Sequence, residues 1–355
     1  MNRTIKTGLI GFGTGGQTFH APFINAVDGL ELSKIRATKP AQIALAKTNY
    51  PQAEIVNTAN EICNDATIEL VVISTPNTFH YPLAMQALQA GKHVVVDKPF
   101  TINTTEADEL IAFAEKQNLV LSVYHNRRFD SDFNTIKKII DNGWLGEMVE
   151  MESRYDRFRN QFKPGAWREE DAPGTGILYD LGSHLIDQVQ ALFGLPQAIT
   201  ADLRIQRKGG KANDNFEVIL HYPVIKASVK AGMLVRQQLP RLILFGNNGT
   251  FVKYGMDVQE EDLKAGFNPL TKTNWGIEPD DRWGTLNTDV NNQHFTGKIE
   301  SERGDYTAFY QNIYNVIANK AALIVTPLQA RNNIRIIELA MQSAQEKRTV
   351  DFSFK

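Results

Sequence analysis

The chain has 355 residues, 42% of them hydrophobic and 22% charged, with a formal net charge of -2 and one cysteine. That length exceeds one simple core and fits two domains, and the near-neutral charge argues against nucleic acid or an anionic membrane as the main partner. Lone Cys63 excludes an internal disulfide and a multi-cysteine metal site, and fits a reducing compartment with a buried, inert thiol.

The opening residues pass into a strand without an apolar leader, and no apolar run approaches the ~20 residues of a spanning helix. A cytoplasmic protein with no membrane partner is expected. Through residue 125, strand and helix signals alternate. Apolar runs at 7–10, 32–37, 70–74, 93–96 and 119–123 are separated by helix-like segments. One of these, 81–90, carries Leu83, Ala84, Ala87 and Leu88 at helical spacing and stops at Gly91. Another opens at Asn103, a capping residue followed three positions later by Glu106. Repeated βα units predict a doubly wound parallel sheet with right-handed crossovers.

From residue 126 the pattern changes. Residues 133–141 read as an amphipathic helix ending at Asn142-Gly143, and 148–157 alternate as a strand does. After a loop at 162–175 comes a long helix, 177–193. Strand candidates follow at 199–206, 216–222, 227–235, 241–245 and 250–254, with Gly246-Asn247-Asn248-Gly249 as a hairpin turn between the last two. Strands joined by turns predict a largely antiparallel sheet. The polar stretch 259–303 reads only as a long ordered loop. Helices resume at 306–319 and 328–345, the latter with Pro327 at its start. The expected division is a nucleotide-binding domain over 1–125 and a substrate-binding and oligomerisation domain over 126–355.

The first strand opens into Gly11-Phe12-Gly13-Thr14-Gly15-Gly16. Gly11, Gly13 and Gly16 have the G-x-G-x-x-G spacing, which serves a tight turn, close approach to a pyrophosphate and close helix–strand packing. Alone the pattern is weak and would also suit a structural turn. Following a strand and preceding a helix, it predicts a dinucleotide site, with Phe12 and Thr14 counted among its contacts. NAD would call for a carboxylate ending the second strand. Glu31 has the right distance but precedes that strand. The proper end reads Arg36-Ala37-Thr38-Lys39-Pro40, so Thr38 and Lys39 predict NADP(H) over NAD(H), against a solvated turn lysine. The fourth strand ends in Ser74-Thr75-Pro76-Asn77-Thr78-Phe79-His80, where Ser74, Thr75, Pro76, Asn77 and His80 suit a loop beneath the nicotinamide ribose.

Lys98, in Val96-Asp97-Lys98-Pro99, ends the fifth strand on the same sheet edge. Hydride transfer from a carbinol needs removal of the hydroxyl proton and stabilisation of charge, and a lysine can do either. Asp97 would anchor Lys98 or its backbone, and Pro99 fixes the chain direction. A lysine at a strand end is more often only solvent-facing. A second group sits in Leu178-Tyr179-Asp180-Leu181-Gly182-Ser183-His184. Asp180 and His184 are four apart on a helix face, near enough to interact. His184 has a suitable intrinsic pKa for acid–base work, and Gly182 leaves room on a bulky helix. The plain alternative is a helix-supporting pair. None of the histidines groups in metal-ligand fashion, so no metal is expected.

Together these residues resemble the Gfo/Idh/MocA family of oxidoreductases. Gly11–Gly16 is similar to its nucleotide turn, Asp97-Lys98-Pro99 to its Glu-Lys-Pro motif with Asp in place of Glu, and Asp180 through His184 to its Asp-x-x-x-His helix. The resemblance implies an α/β fold: a Rossmann domain, then an α/β domain with a large, mainly antiparallel open sheet that often forms the subunit interface of a homodimer or homotetramer. It implies NAD(P) and carbohydrate or polyol substrates. It assigns Lys98 to bridging substrate and nicotinamide, and His184, helped by Asp180, to exchanging the hydroxyl proton. Residues 125–133 and Pro164-Gly165-Ala166-Trp167-Arg168-Glu169 resemble a bacterial subgroup that includes NADP-dependent scyllo-inositol dehydrogenases. By that likeness Trp167 and Arg168 lie on a nicotinamide-side loop, Asn126 near the cofactor and substrate, and Arg127 and Tyr155 beside the substrate. Trp167 equally suits a packing anchor and Arg127 a structural ion pair.

The expected activity is an NADP(H)-dependent interconversion of a hydroxyl and a ketone or lactone on a cyclic polyol or sugar, inositols first. It requires the Lys98 ammonium and the His184 imidazole to meet over the coenzyme ring. The alternatives are a non-catalytic NADP-responsive regulatory protein on the same fold, and a reductase of another sugar or of a non-sugar carbonyl.

Overall fold

The first part holds six parallel strands, five at the expected apolar runs and a sixth, β3, outside them: β1 (Ile5–Ile10), β2 (Leu30–Arg36), β3 (Glu54–Val56), β4 (Leu70–Ile73), β5 (His93–Asp97) and β6 (Leu121–Tyr124). Their spatial order is β3-β2-β1-β4-β5-β6. β4 and β6 are buried at every position. Strands covered on both faces read as continuous β-branched runs, not alternating ones. The order reverses between β1 and β4, where Ile10 pairs with Ile73. Loops leaving the carboxyl ends there diverge and open a crevice. The structure is a computed structural model that describes residues 3–162 and 165–354; Pro164 of the family-like loop lies outside the described residues.

The intervening helices are α1 (Ala21–Ala26), α2 (Pro40–Asn49), α3 (Asn60–Cys63), α4 (His80–Gln89) and α5 (Thr104–Lys116). Asn103 caps α5, its side chain accepting from the Glu106 amide at 2.9 Å. Gly16–His20, just before α1, is a π-type turn.

A second compact unit comprises Arg127–Val258, Gly276–Gly304 and Asn332–Lys355. It holds α6 (Ser131–Asp141), α7 (Ser183–Phe193) and nine strands: β7 (Met148–Arg154), β8 (Ala198–Arg204), β9 (Asn215–His221), β10 (Lys226–Gly232), β11 (Leu242–Gly246), β12 (Gly249–Lys253), β13 (Gly284–Val290), β14 (Gln293–Ile299) and β15 (Val350–Asp351). They run in the order β14-β13-β12-β11-β7-β10-β9-β8-β15, with β7–β10 parallel and the other pairs antiparallel. Phe216, Val218 and Leu220 of β9 are buried, as alternation predicts. The intervening face carries cross-strand charge pairs, Lys226–Glu150 at 2.7 Å and Lys230–Glu217 at 2.9 Å.

The hairpin expected at 246–249 forms, with Phe245 opposite Thr250. The stretch 259–303 differs from expectation. It contains α8 (Gln259–Lys264) and the β13–β14 hairpin. The hairpin turns on Asn291 and Asn292, both at positive φ (52° and 63°), as a primed two-residue turn requires and asparagine tolerates.

Gln259–Trp275 and Asp305–Arg331 join Met1–Asn126 in the first unit. They bring α8, α9 (Thr307–Asn319) and the start of α10 (Pro327–Glu346). Phe23 meets the rings of Trp275 and Tyr306 at 5.9 and 5.6 Å, and Tyr124 meets Phe309 at 4.8 Å. These rings cover one side of the parallel-sheet core. Among the described residues no helix is long and apolar enough to cross a membrane.

Candidate active site

Each glycine of the first turn answers to a different neighbour. Gly11 has φ +105°, and a Cβ there would lie 2.1 Å from the Ser74 carbonyl oxygen; one at Gly16 would lie 2.1 Å from the Gly11 oxygen. The fold itself demands both. A Cβ at Gly13 would meet nothing within 4 Å: this is the position where a phosphate can come against backbone. The Phe12 side chain is buried edge-on to Tyr50 at 6.2 Å, its carbonyl oxygen accepts from Gln17 Nε2 at 2.8 Å, and Thr14 is exposed. Glu31 is the second residue of β2, opposite Lys6, so it sits at the far end of the strand. Thr38 and Lys39 follow the near end and are exposed. Thr75 Oγ1 is buried without a hydrogen-bond partner. An open backbone position, a hydroxyl awaiting a partner and a cationic strand end without a carboxylate together fit a dinucleotide.

The loops after β4 and β5 are tied to each other. His80 is fully buried, with Nδ1 2.7 Å from the Pro99 oxygen and Nε2 3.0 Å from the Thr75 oxygen. Its ring thus clamps backbone to backbone. Burial lowers its pKa, against the pull of Asp97 and the carbonyls. Asn77 is buried and Pro76 exposed. The Lys98–Pro99 bond is cis and Lys98 is half-buried. Asp97 Oδ1 accepts from the Lys98 amide at 2.8 Å, while Oδ2 accepts from Ser74 Oγ at 3.1 Å and lies 3.3 Å from His20 Nε2. Burial opposes ionisation of Asp97, but His20, Lys98 and His80 outweigh it and hold the carboxyl well below the usual range.

In the second unit the helix carrying the other candidates begins with a π-type turn, Leu178–Gly182, that runs into α7. Asp180 lies in the π-type turn and His184 in the first turn of α7. Such turns recur at functional sites. A Cβ at Gly182 would come within 2.9 Å of Leu178 Cδ1 and 3.4 Å of Phe216, so the glycine lets this turn seat on the sheet. Asp180 pairs with Arg168 (Oδ1 to Nε, 3.2 Å), whose guanidinium stacks over Trp167 at 4.4 Å. His184 is buried, its ring centroid 6.3 Å from that of Tyr155 and nearly perpendicular. Burial pushes the Tyr155 phenol up to about 12, so it stays protonated near neutrality. Arg127 is buried beside Asp130 (3.5 Å), and Asn126, which ends the amino-terminal segment of the first unit, is buried too.

Several supporting residues went unread in the sequence. Arg128 grips Asp187 through two bonds, of 2.8 and 2.6 Å, both side chains almost wholly buried. Gln188 donates to the Arg127 oxygen at 2.8 Å and accepts from Arg241 at 2.8 Å. Arg241 also bonds Ser153 and lies 4.1 Å over the Tyr155 ring. These contacts fix the helix face three and four residues beyond His184. The only trace in the sequence is the Arg127-Arg128 pair, which resembles a solvated basic cluster. His20 was likewise unread. Among the described residues no three His, Cys, Asp or Glu side chains form a metal-holding group.

Comparison with known proteins gives a consistent result. A family model described as "Oxidoreductase family, NAD-binding Rossmann fold" matches residues 5–125, and one described as "Oxidoreductase family, C-terminal alpha/beta domain" matches 137–352. The chain is 41% identical over 347 residues to scyllo-inositol 2-dehydrogenase (NADP(+)) IolW of Bacillus subtilis, covering 98% of this chain and 96% of that one. It is 41% identical to the oxidoreductase YdgJ of Escherichia coli, covering 99% of each. Among solved structures, the oxidoreductase yvaA of Bacillus subtilis superposes with a TM-score of 0.95 at 40% identity, over 99% of both chains. An oxidoreductase of Bacteroides fragilis gives 0.90 at 44%, over 99% of this chain and 100% of that one.

Proposed function

Because the chain belongs to the Gfo/Idh/MocA family of NAD(P)-binding oxidoreductases, we propose that it is an NADP(H)-dependent dehydrogenase/reductase of a cyclic polyol or sugar, with scyllo-inositol the leading substrate. The observation that carries this reading is whole-length similarity to an NADP+-dependent scyllo-inositol dehydrogenase in a chain that has Asp97-Lys98-Pro99 and Asp180 through His184. The bound dinucleotide supplies hydride acceptance and donation. His184 takes the hydroxyl proton and returns it in reverse. The Lys98 ammonium neutralises the developing alkoxide. Asp180, shared with Arg168, favours the charged imidazole. Tyr155 donates to a substrate oxygen, and Arg127 holds the loop on which the polyol rests. Gly11, Gly13 and Gly16 with Ser74, Thr75, Asn77 and Trp167 hold the dinucleotide.

Thr38 and Lys39 support NADP by offering a donor and a cation to a 2′-phosphate where an NAD enzyme keeps a carboxylate. A homodimer or homotetramer through the charge-laddered sheet face, in the cytoplasm, completes the proposal. The test is NADPH formation from NADP+ with a panel of inositols and sugars at alkaline pH. Lys98→Met and His184→Ala should each lower turnover by about 10²- to 10⁴-fold with NADP+ affinity nearly intact. Near-normal rates in either remove that residue's assignment. A protein that binds NADP+ yet oxidises nothing in the panel overturns the substrate reading. NAD preference unchanged by Lys39→Ala overturns the NADP reading.

A further inference from the structure

We propose that His20 is a positioning residue for this dehydrogenase: it holds the Asp97 carboxylate, and through it the Lys98 backbone, against the helix that follows the glycine turn. The inference rests on the activity proposed above and adds to it a residue outside the three family motifs.

The geometry is a buried line of polar groups. His20 is 0% exposed, with Nε2 3.3 Å from Asp97 Oδ2 and Nδ1 2.6 Å from the Tyr310 hydroxyl. The Tyr310 hydroxyl hydrogen-bonds Nδ1, and Nε2 faces the Asp97 carboxylate at ion-pair distance, outside hydrogen-bond geometry. Tyr310 is buried in α9, and burial raises its phenol well above the ordinary value, so it remains a donor. The Tyr124 ring, 4.6 Å away, covers the imidazole.

The π-type turn explains how His20 reaches Asp97. Five residues carry an α-helix about 140° beyond a full turn, whereas a closure from i to i+5 sets Gly15 and His20 on one side. That side faces Asp97: a Cβ at Gly15 would lie 2.5 Å from Ser74 Oγ and 3.2 Å from Asp97 Oδ2. One carboxylate is therefore contacted from three segments: it accepts from the end of β4 (Ser74) and from the backbone after β5 (Lys98), and the glycine-turn helix brings His20 to ion-pair distance. Without the imidazole, two donors remain for a charge in a half-buried site, and the Lys98 backbone loses one of its braces. Displacing a catalytic group by about 1 Å can cost about 100-fold in rate.

Three variants test it. His20→Leu removes the imidazole, His20→Gln places an N–H near the Nε2 position, and Tyr310→Phe keeps the imidazole but removes the outer bond. NADPH affinity, emission of bound NADPH, melting temperature and polyol kcat and KM are measured for each. The expected result for His20→Leu is a kcat loss of about 10- to 100-fold, from a displacement of Lys98 of up to about 1 Å. NADPH affinity and KM should be unchanged and bound-NADPH emission altered, with both losses largely regained in His20→Gln. Wild-type kcat and emission in His20→Leu overturn the proposal. So does a loss that follows melting temperature and is not regained by Gln. If His20→Leu does not fold, Tyr310→Phe decides: lower kcat at normal affinity supports the proposal, and unaltered kcat and emission overturn it. If the wild type oxidises no polyol, the activity proposal fails on its own, and bound-NADPH emission alone judges His20.

Discussion

Gly13→Ala separates a phosphate cradle from a plain bend in the first glycine turn. A Cβ at Gly13 meets no heavy atom within 4 Å, and the residue is not among the glycines at positive φ. Its folding cost should therefore stay within about 0.5 kcal/mol, and the stiffer unfolded chain can return about 0.4–1 kcal/mol. Gly11 and Gly16 cannot serve this purpose. At each, the added carbon would sit 2.1 Å from a carbonyl oxygen of the neighbouring backbone, and backbone cannot swing aside as a side-chain tip can. Only Gly13 reports on the ligand without damaging the fold. A methyl group between backbone and pyrophosphate would break at least one hydrogen bond to a charged group, worth about 1.5–3 kcal/mol, or about 10- to 150-fold in NADPH affinity. Fluorescence titration with NADPH and a thermal scan on the same preparation give both numbers. A Gly13→Ala protein that melts normally and binds NADPH as tightly as the wild type would refute the dinucleotide assignment of this turn.

Asp187→Asn leaves the Arg128 guanidinium buried with a weaker partner, so the unit holding α7 should lose about 3–5 kcal/mol. The joint change Arg128→Met with Asp187→Leu should recover most of it. Urea unfolding with hydrogen exchange of α7 amides measures both, and a single-variant cost below about 1 kcal/mol shows the pair is not what anchors the helix. For Asp97, the folded pKa lies below the unfolded value of about 3.9, so its stabilisation is present above that value and is lost as pH falls through the acid range. Asp97→Asn should be less stable than the wild type at neutral pH, with the gap closing below about pH 4. A gap constant across the acid range contradicts the depressed pKa.

The parallel sheet was legible because its central strands are apolar on both faces; Val94, Val95 and Val96 announce themselves without help from context. Glu54–Val56 was not, since three residues of which only Val56 is buried carry no period. The β13–β14 hairpin stayed hidden because most of β14 faces solvent, so its alternation carries no hydrophobic contrast, and two asparagines turn it where a glycine would have been read. Lys98, Asp180 and His184 stood out as chemical groups in family-like surroundings. Their supports did not. His20 and Asp97 are 77 positions apart in the chain, Arg128 and Asp187 are 59 apart, and neither pairing leaves a local pattern. The two π-type turns are equally silent, because one extra residue per turn shifts a helix face without changing composition.

The rings that close over Phe23, His20 and Tyr124 arrive from Trp275, Tyr306, Phe309 and Tyr310. On the ribosome, the polypeptide through residue 126 therefore emerges with that apolar side uncovered, and must wait for roughly the last fifth of translation to be shielded. A gene fragment cut after the sixth strand would yield a sticky, incomplete product, not a portable coenzyme cassette. Chimeras that exchange coenzyme preference have to trade Gln259–Trp275 and Asp305–Arg331 along with the amino-terminal stretch.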